Sequence, residues 1–280
     1  MKKRKERERQ TKKPVTILLF IILFIVGFLV MMYPFISNFW NQMRTESIVK
    51  VYKDDVEKRP SKELNEEYQR ARTYNDNHKA NIIIDIFSSK EPEEKEYMTL
   101  LNLTGDGVMG YIEVPKIKQR IVIYHGTSEE VLQKGCGHIA GTSLPIGGES
   151  SHVVIAAHRG LPRAKLFTDI DQLKEGDEFY LFILDKTLAY KVDQIKVVEP
   201  DCLEELQITE GEDYVTLFTC TPYSVNTHRL LVRGYRIPYE PKKNDTQTIA
   251  DTFMKYRLLA IFIVLLTTTV VLIIKRKSKH

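Results

Sequence analysis

From Pro14 to Met43 the chain carries no charged side chain, and the heart of this run, Val15 to Met32, is almost wholly apolar. A helix of about 20 apolar residues crosses the hydrocarbon core of a bilayer. The run predicts a membrane anchor over 15–36, with Tyr33 and Trp40 near an interface where aromatic residues concentrate. A cleaved signal peptide would have an apolar region of roughly 7–15 residues and a small-x-small site. This run is longer, and no Ala-x-Ala site precedes Arg44, so the anchor is read as retained. A second apolar run, Leu258 to Ile274, lies between Arg257 and Lys275. It is at the short limit for a span, and its flanking cations can snorkel to the headgroups. A second anchor over 258–274 is expected.

Charge follows the same division. Residues 1–13 carry +6 and residues 275–280 carry +4, so the overall +4 leaves −6 for the chain between them. A nucleic-acid binder would concentrate its basic residues on the folded part, and here they sit at the two ends. The positive-inside rule instead makes 1–14 and 275–280 cytoplasmic tails and places the stretch between the anchors outside. A charged fraction of 28% excludes a polytopic membrane protein, and 43% hydrophobic residues exclude a wholly disordered chain. Three cysteines are too few for a disulfide scaffold of this length.

The exterior part has two textures. Residues 37–104 are polar and helical in character, with a break near Pro60, a loop at Asn75-Asp76-Asn77, an apolar patch at 81–84 and a polar stretch at 88–96. From Gly105 to about 240, short β-branched and aromatic runs recur between turn residues. Strands are expected at 110–114, 120–124, 152–157, 178–184, 188–198, 214–219 and 229–237, with helices at 128–134 and 166–174. Residues 241–257 form a linker to the second anchor. Seven strands with short links make a mainly β domain, either a closed barrel or a sandwich. A doubly wound parallel sheet would need a helix after nearly every strand.

Three residues form a chemically complete set. Cys220 ends an apolar strand and precedes the turn Thr221-Pro222-Tyr223, which would hold a sulfur nucleophile at a cleft. His158 also ends an expected strand, and Arg229 begins the strand after Cys220. Together they supply a nucleophile, a proton carrier and a fixed cation for a developing oxyanion. Spacing alone leaves open whether they meet, and a cysteine at a strand end is more often a small buried hydrophobe. The other histidines read as structural or surface residues, His228 being a weaker base candidate. Cys136 and Cys202 could pair in an exterior domain. No His-x₃-His or Cys-x-x-Cys pair occurs, so no metal is expected.

The residues around this set resemble the sortases. "TLFTC" at 216–220, "HRGLP" at 158–162 and "NTHRLLVRG" at 226–234 are similar to that family's cysteine, histidine and arginine segments. "GDGVMGYIEVPKI" (105–117), "IYHGTSEEVLQKG" (123–135) and "GTSLPIGG" (141–148) resemble class C members, which polymerise pilins. The resemblance covers roughly residues 80–240. It implies an eight-stranded β-barrel with short helices, an N-terminal helical and lid segment, and flanking membrane helices. It implies His158, Cys220 and Arg229 as the catalytic triad of a transpeptidase acting on a Leu-Pro-x-Thr-Gly-like sorting signal. The partners it implies are a surface protein or pilin bearing that signal and a pilin lysine or cell-wall precursor amine as acceptor. Class C members carry an Asp-Pro-aromatic lid before the barrel. Here the matching place is Asp85-Ile86-Phe87, so Asp85 and Phe87 are lid candidates without the proline that would stiffen the turn. A housekeeping sortase acting on cell-wall precursor, a hydrolytic cysteine peptidase and a two-span scaffold with an inert Cys220 are the alternatives.

Overall fold

A computed structural model describes residues 2–78, 95–200, 202 and 204–241, with side chains from residue 19 onward. The first element is a single helix, α1 (Lys2–Lys58). Anchor and exterior helix, expected as separate pieces, are thus continuous. The described part of α1 is long and apolar enough to cross a membrane, with a mean hydropathy of 2.8 in its most apolar window. Side chains such as Leu23 and Val30 stand exposed there. Further on, Asn38, Thr45, Val49, Tyr52 and Val56 are buried. Their spacing of three, four and seven keeps them on one helical face. The helix stops at Lys58 because the residue before Pro60 is pushed out of the helical region.

A second helix, α2 (Ser61–Asn77), continues through the place where a loop was expected. Asn75 explains the difference. Its Oδ1 accepts from the Leu144 backbone N at 2.7 Å, and its Nδ2 donates to the Leu144 carbonyl at 3.2 Å. These buried tertiary bonds hold a residue type that in isolation favours turns. The second anchor, 258–274, and the lid segment around Asp85 and Phe87 both lie outside the described residues.

Eight strands follow: β1 (Val108–Val114), β2 (Gln119–His125), β3 (Cys136–His138), β4 (Ser151–Ala156), β5 (Glu178–Ile183), β6 (Lys186–Val198), β7 (Asp213–Thr221) and β8 (His228–Ile237). They close into a barrel in the order β1-β2-β3-β4-β7-β8-β6-β5. β2 pairs with β3 and β4 pairs with β7 in parallel; the other neighbours are antiparallel. Of the two architectures open to the sequence, the closed barrel is the one formed, with one strand more than the seven expected. The extra strand is β3, centred on Gly137 and too short to show an alternating pattern. Gly110 marks a register shift between β1 and β2, and a Cβ there would come within 2.3 Å of the Phe182 carbonyl oxygen, so only glycine fits.

Alternation sorts the side chains of β4, β7 and β8 onto two sides. Val153, Ile155, Val215, Leu217, Leu230 and Val232 fill the barrel. Val154, Ala156, Phe218 and Leu231 form a second, outer cluster under Leu132, Ile139 and Leu206. Leu132 belongs to a one-turn helix, α3 (Glu129–Leu132), whose Ser128 Oγ caps the Val131 N–H at 3.4 Å. The helix expected at 128–134 is present in this shortened form. The helix expected at 166–174 is instead a set of turns with one 3-10 turn, Ile170–Gln172. Leu166 has a positive φ of 39°, which interrupts a right-handed helix. The Phe167 N–H and the Thr168 carbonyl are also engaged elsewhere, by the His158 carbonyl at 3.2 Å and Arg159 Nε at 3.3 Å.

Candidate active site

Register sets Cys220 on β7, Arg229 on β8 and His158 just beyond the end of β4 side by side. Cys220 is the direct cross-strand partner of Arg229 in the β7–β8 pair. On the other side of β7, the parallel pairing runs from Ser151↔Asp213 to Ala156↔Phe218. It continues one residue past the end of β4. Ala157 N donates to the Phe218 carbonyl at 3.1 Å, and Thr219 Oγ1 donates to the Ala157 carbonyl at 2.7 Å. His158 is the next residue, level with Cys220. His158, Cys220 and Arg229 then extend the alternation of Ala156, Phe218 and Leu231. All three belong to the outer face of the barrel, at the end of the second cluster.

The two threonines of "TLFTC" fix this register. Thr219 bonds to Ala157, and Thr216 Oγ1 meets His152 Nε2 on β4 at 2.7 Å, while His152 Nδ1 contacts the Gln207 carbonyl at 2.9 Å. Burial drives His152 down to about 4, so it stays neutral at neutral pH. The remaining buried histidines also serve structure. His138 lies between Tyr97 OH (2.9 Å) and the Ser143 carbonyl (2.9 Å), and His125 faces the carbonyls of Gly107 (3.0 Å) and Leu100 (2.7 Å).

Cys220 is half-buried. Burial pushes its thiol up, and the charge of Arg229 pulls in the opposite direction. Burial thus favours the protonated thiol, and a nucleophilic sulfur calls for a nearby proton acceptor. His158 is the candidate, just beyond the end of β4, with a quarter of its side chain exposed. Arg229 is held by its own loop, Nη1 donating to the carbonyls of Asn226 (3.0 Å) and His228 (3.1 Å). Cys136 is fully buried, which raises its thiol strongly, and neither it nor Cys202 forms a disulfide.

Two side chains missed by sequence reasoning surround His158. Glu129, in the first turn of α3, places Oε2 3.4 Å from His158 Nε2. Its carboxyl is held below the ordinary value, chiefly by Gln133 and also by His158. Arg159 is nearly buried, with its side chain 9% exposed. Its Nη1 donates to Thr221 Oγ1 on β7 at 3.0 Å, its Nη2 to Asp171 Oδ2 at 2.5 Å, and its Nε to the Thr168 carbonyl. The guanidinium therefore fastens the loop after His158 to the residue after Cys220. The Gly160 of "HRGLP" has a φ of +83°, and a Cβ there would come within 3.0 Å of the Tyr223 ring, which packs across from the loop after Cys220. Nothing in the sequence set Glu129 apart from other helix-start acids. Arg159 had a visible signal, since it adjoins the histidine, but its partners lie 62 and 12 residues away.

Among the described residues no group of His, Cys, Asp and Glu side chains has the arrangement of a metal site. The chemistry available at this face is that of a thiol, an imidazole and a guanidinium.

The chain is similar to known proteins. A profile of the sortase domain matches residues 112–237. The sortase C structure of Streptococcus pneumoniae, described for its catalysis and pilin substrate specificity, is 49% identical, superposes with a TM-score of 0.66 and covers 70% of this chain and 100% of its own. A pilus-related sortase C of Group B Streptococcus is 47% identical, with a TM-score of 0.62, 67% of this chain and 96% of its own. Sortase A of Bacillus anthracis is 25% identical over 224 residues, 80% of this chain and 95% of its own.

Proposed function

The chain belongs to the sortase family, as a class C cysteine transpeptidase, and we propose that it joins pilin subunits through a thioester formed on Cys220. The observation that carries this reading is the direct Cys220↔Arg229 pairing, with His158 level with Cys220 just beyond the end of β4. The likeness to sortase C structures at 47–49% identity supports the pilin side of it.

In this mechanism a Leu-Pro-x-Thr-Gly-like segment lies along the outer face of β4, β7 and β8. Proton transfer from Cys220 to His158 generates the thiolate, which attacks the Thr carbonyl carbon. Arg229 donates to the oxygen as it gains negative charge. The Thr–Gly C–N bond breaks, and imidazolium His158 gives its proton to the departing amine. A thioester of Cys220 remains. A lysine amine of the next pilin then attacks it while His158 takes the amine proton, and the new amide forms as the sulfur leaves. Thr216 and Thr219 keep β4 and β7 in register, and Arg159 ties the histidine loop to β7. These steps need no cofactor.

We read α1 as the membrane anchor, with 258–274 as a second one, both termini cytoplasmic and the barrel outside. Asp85 and Phe87 are the proposed lid. Enzyme and substrate tethered to one membrane meet at high effective concentration. The test is to incubate the protein with candidate sorting peptides and look by intact mass for an acyl adduct on Cys220, then add a pilin domain carrying a lysine. An adduct that passes to the lysine supports pilin joining. An adduct that only hydrolyses, or passes only to a cell-wall precursor amine, points to the alternative readings.

A further inference from the structure

The loop after His158 is fastened to the membrane helix as well as to β7. Ser37 Oγ of α1 donates to the Arg163 carbonyl at 3.2 Å, and Asn38 Oδ1 accepts from the Lys165 N–H at 3.0 Å. Asn38 is buried by this contact, at 9% exposure. It is the first member of the face, Asn38 to Val56, along which α1 lies against the barrel domain. At the other end of that face Tyr52 OH donates to the Met109 carbonyl at 3.1 Å and accepts from Leu184 N at 2.8 Å. The end of the domain with the histidine loop is therefore the end toward the span.

The depth of that contact can be counted along the helix. At about 1.5 Å per residue the charge-free run Pro14–Met43 reaches about 45 Å, the thickness of a bilayer including its headgroups. The anchor read over 15–36 spans about 33 Å, enough for the hydrocarbon core, and Asn38 lies about 3 Å beyond its outer end. That is the headgroup layer, where the exposed Trp40 is also at home. The loop bonded to Asn38 presents Pro162, Arg163 and Lys165 on its exposed side, Lys165 Nζ also pairing with Asp169 at 3.0 Å, while Ala164, Leu166 and Phe167 are buried beneath.

We propose that residues 160–166 form a lipid-docking surface in the outer headgroup layer, with Arg163 and Lys165 against lipid phosphates. This rests on the reading of α1 as a span. The histidine side of the active site then opens at the membrane surface.

Tryptophan quenching tests it on the full chain in vesicles of phosphatidylcholine and phosphatidylglycerol containing headgroup-spin-labelled phosphatidylcholine. The wild-type protein reports from Trp40, its single tryptophan. In a Trp40→Phe background, Pro162→Trp reports from the loop, with Arg163→Trp as a second loop probe. Glu57→Trp, exposed near the far end of α1, reports from the distal end. Strong quenching of Trp40 and of the loop probes, with little at position 57, is the expected pattern. Loop probes as weakly quenched as position 57 beside a quenched Trp40 overturn the docking surface and leave the span standing. An unquenched Trp40 overturns both.

Discussion

Arg229 faces Cys220 directly across the β7–β8 ladder and has two separable effects on it. It opposes the burial that raises the thiol, and in the proposed reaction it donates to the oxyanion. Arg229→Ala removes the opposing charge, so the thiol titrates at higher pH. The pH profile of Cys220 alkylation should move upward, and turnover should fall by about 10²–10³, the usual loss for an oxyanion donor. A profile that stays in place, or moves down, would sink the electrostatic half of this assignment. Glu129→Gln tests the contact with His158. An exposed pair contributes about 0.2–1 kcal/mol, so turnover should drop by no more than about fivefold. Arg159→Ala, by contrast, strips Thr221 and Asp171 of their partner and frees the loop that carries His158. Turnover should fall and alkylation of Cys220 near neutral pH should slow with it, and Arg159→Lys should recover only part of the loss because lysine cannot reproduce the fork. The cysteine, histidine and arginine are legible in the sequence because each sits at the end of a β-branched run, where strand geometry places them. Glu129 and Arg159 are not, because their roles depend on which distant loops fold against α3 and β7.

At the level of elements, the long strands are readable and the short pieces are not. β6, β7 and β8 have enough alternating positions for the pattern to show, whereas β3 is a single short stretch that takes its place from pairing with β2 and β4. The turns at 166–174 have helical composition but lose helical backbone bonds to Arg159 and to the His158 carbonyl. The end of α2 errs in the other direction. Asn75 looks like a turn residue, yet its side-chain amide bridges both backbone groups of Leu144. Asn75→Ala leaves the buried Leu144 N–H unpaired, at a cost of about 1–3 kcal/mol, while the Leu144 carbonyl keeps its bond from Ile146 N at 2.8 Å. A loss of that order, read from the urea midpoint, is expected. A change near zero would show that Leu144 finds other partners and that the amide does not hold α2.

Across the whole molecule, folding buries histidines that an unfolded chain would expose. His138 is fully buried between Tyr97, Thr142 and the Ser143 carbonyl, and His152 joins β4 to β7. Burial lowers both from the ordinary 6.5 to about 4. Their neutral forms are therefore favoured by folding. Above about pH 6.5 neither state binds these protons, and the full stability is present. Between about 6.5 and about 4 the unfolded chain takes up protons that the folded one refuses, so stability falls as pH falls. Below about 4 the folded state binds them too, and this contribution stops changing. The melting temperature should decline through that window even though no residue of the proposed catalytic set is involved. His138→Gln keeps a polar side chain without a titrating ring, so it should lower the melting temperature at pH 7 and flatten the decline on acidification. An unchanged slope in this variant and in His152→Gln would mean that acid acts through other groups.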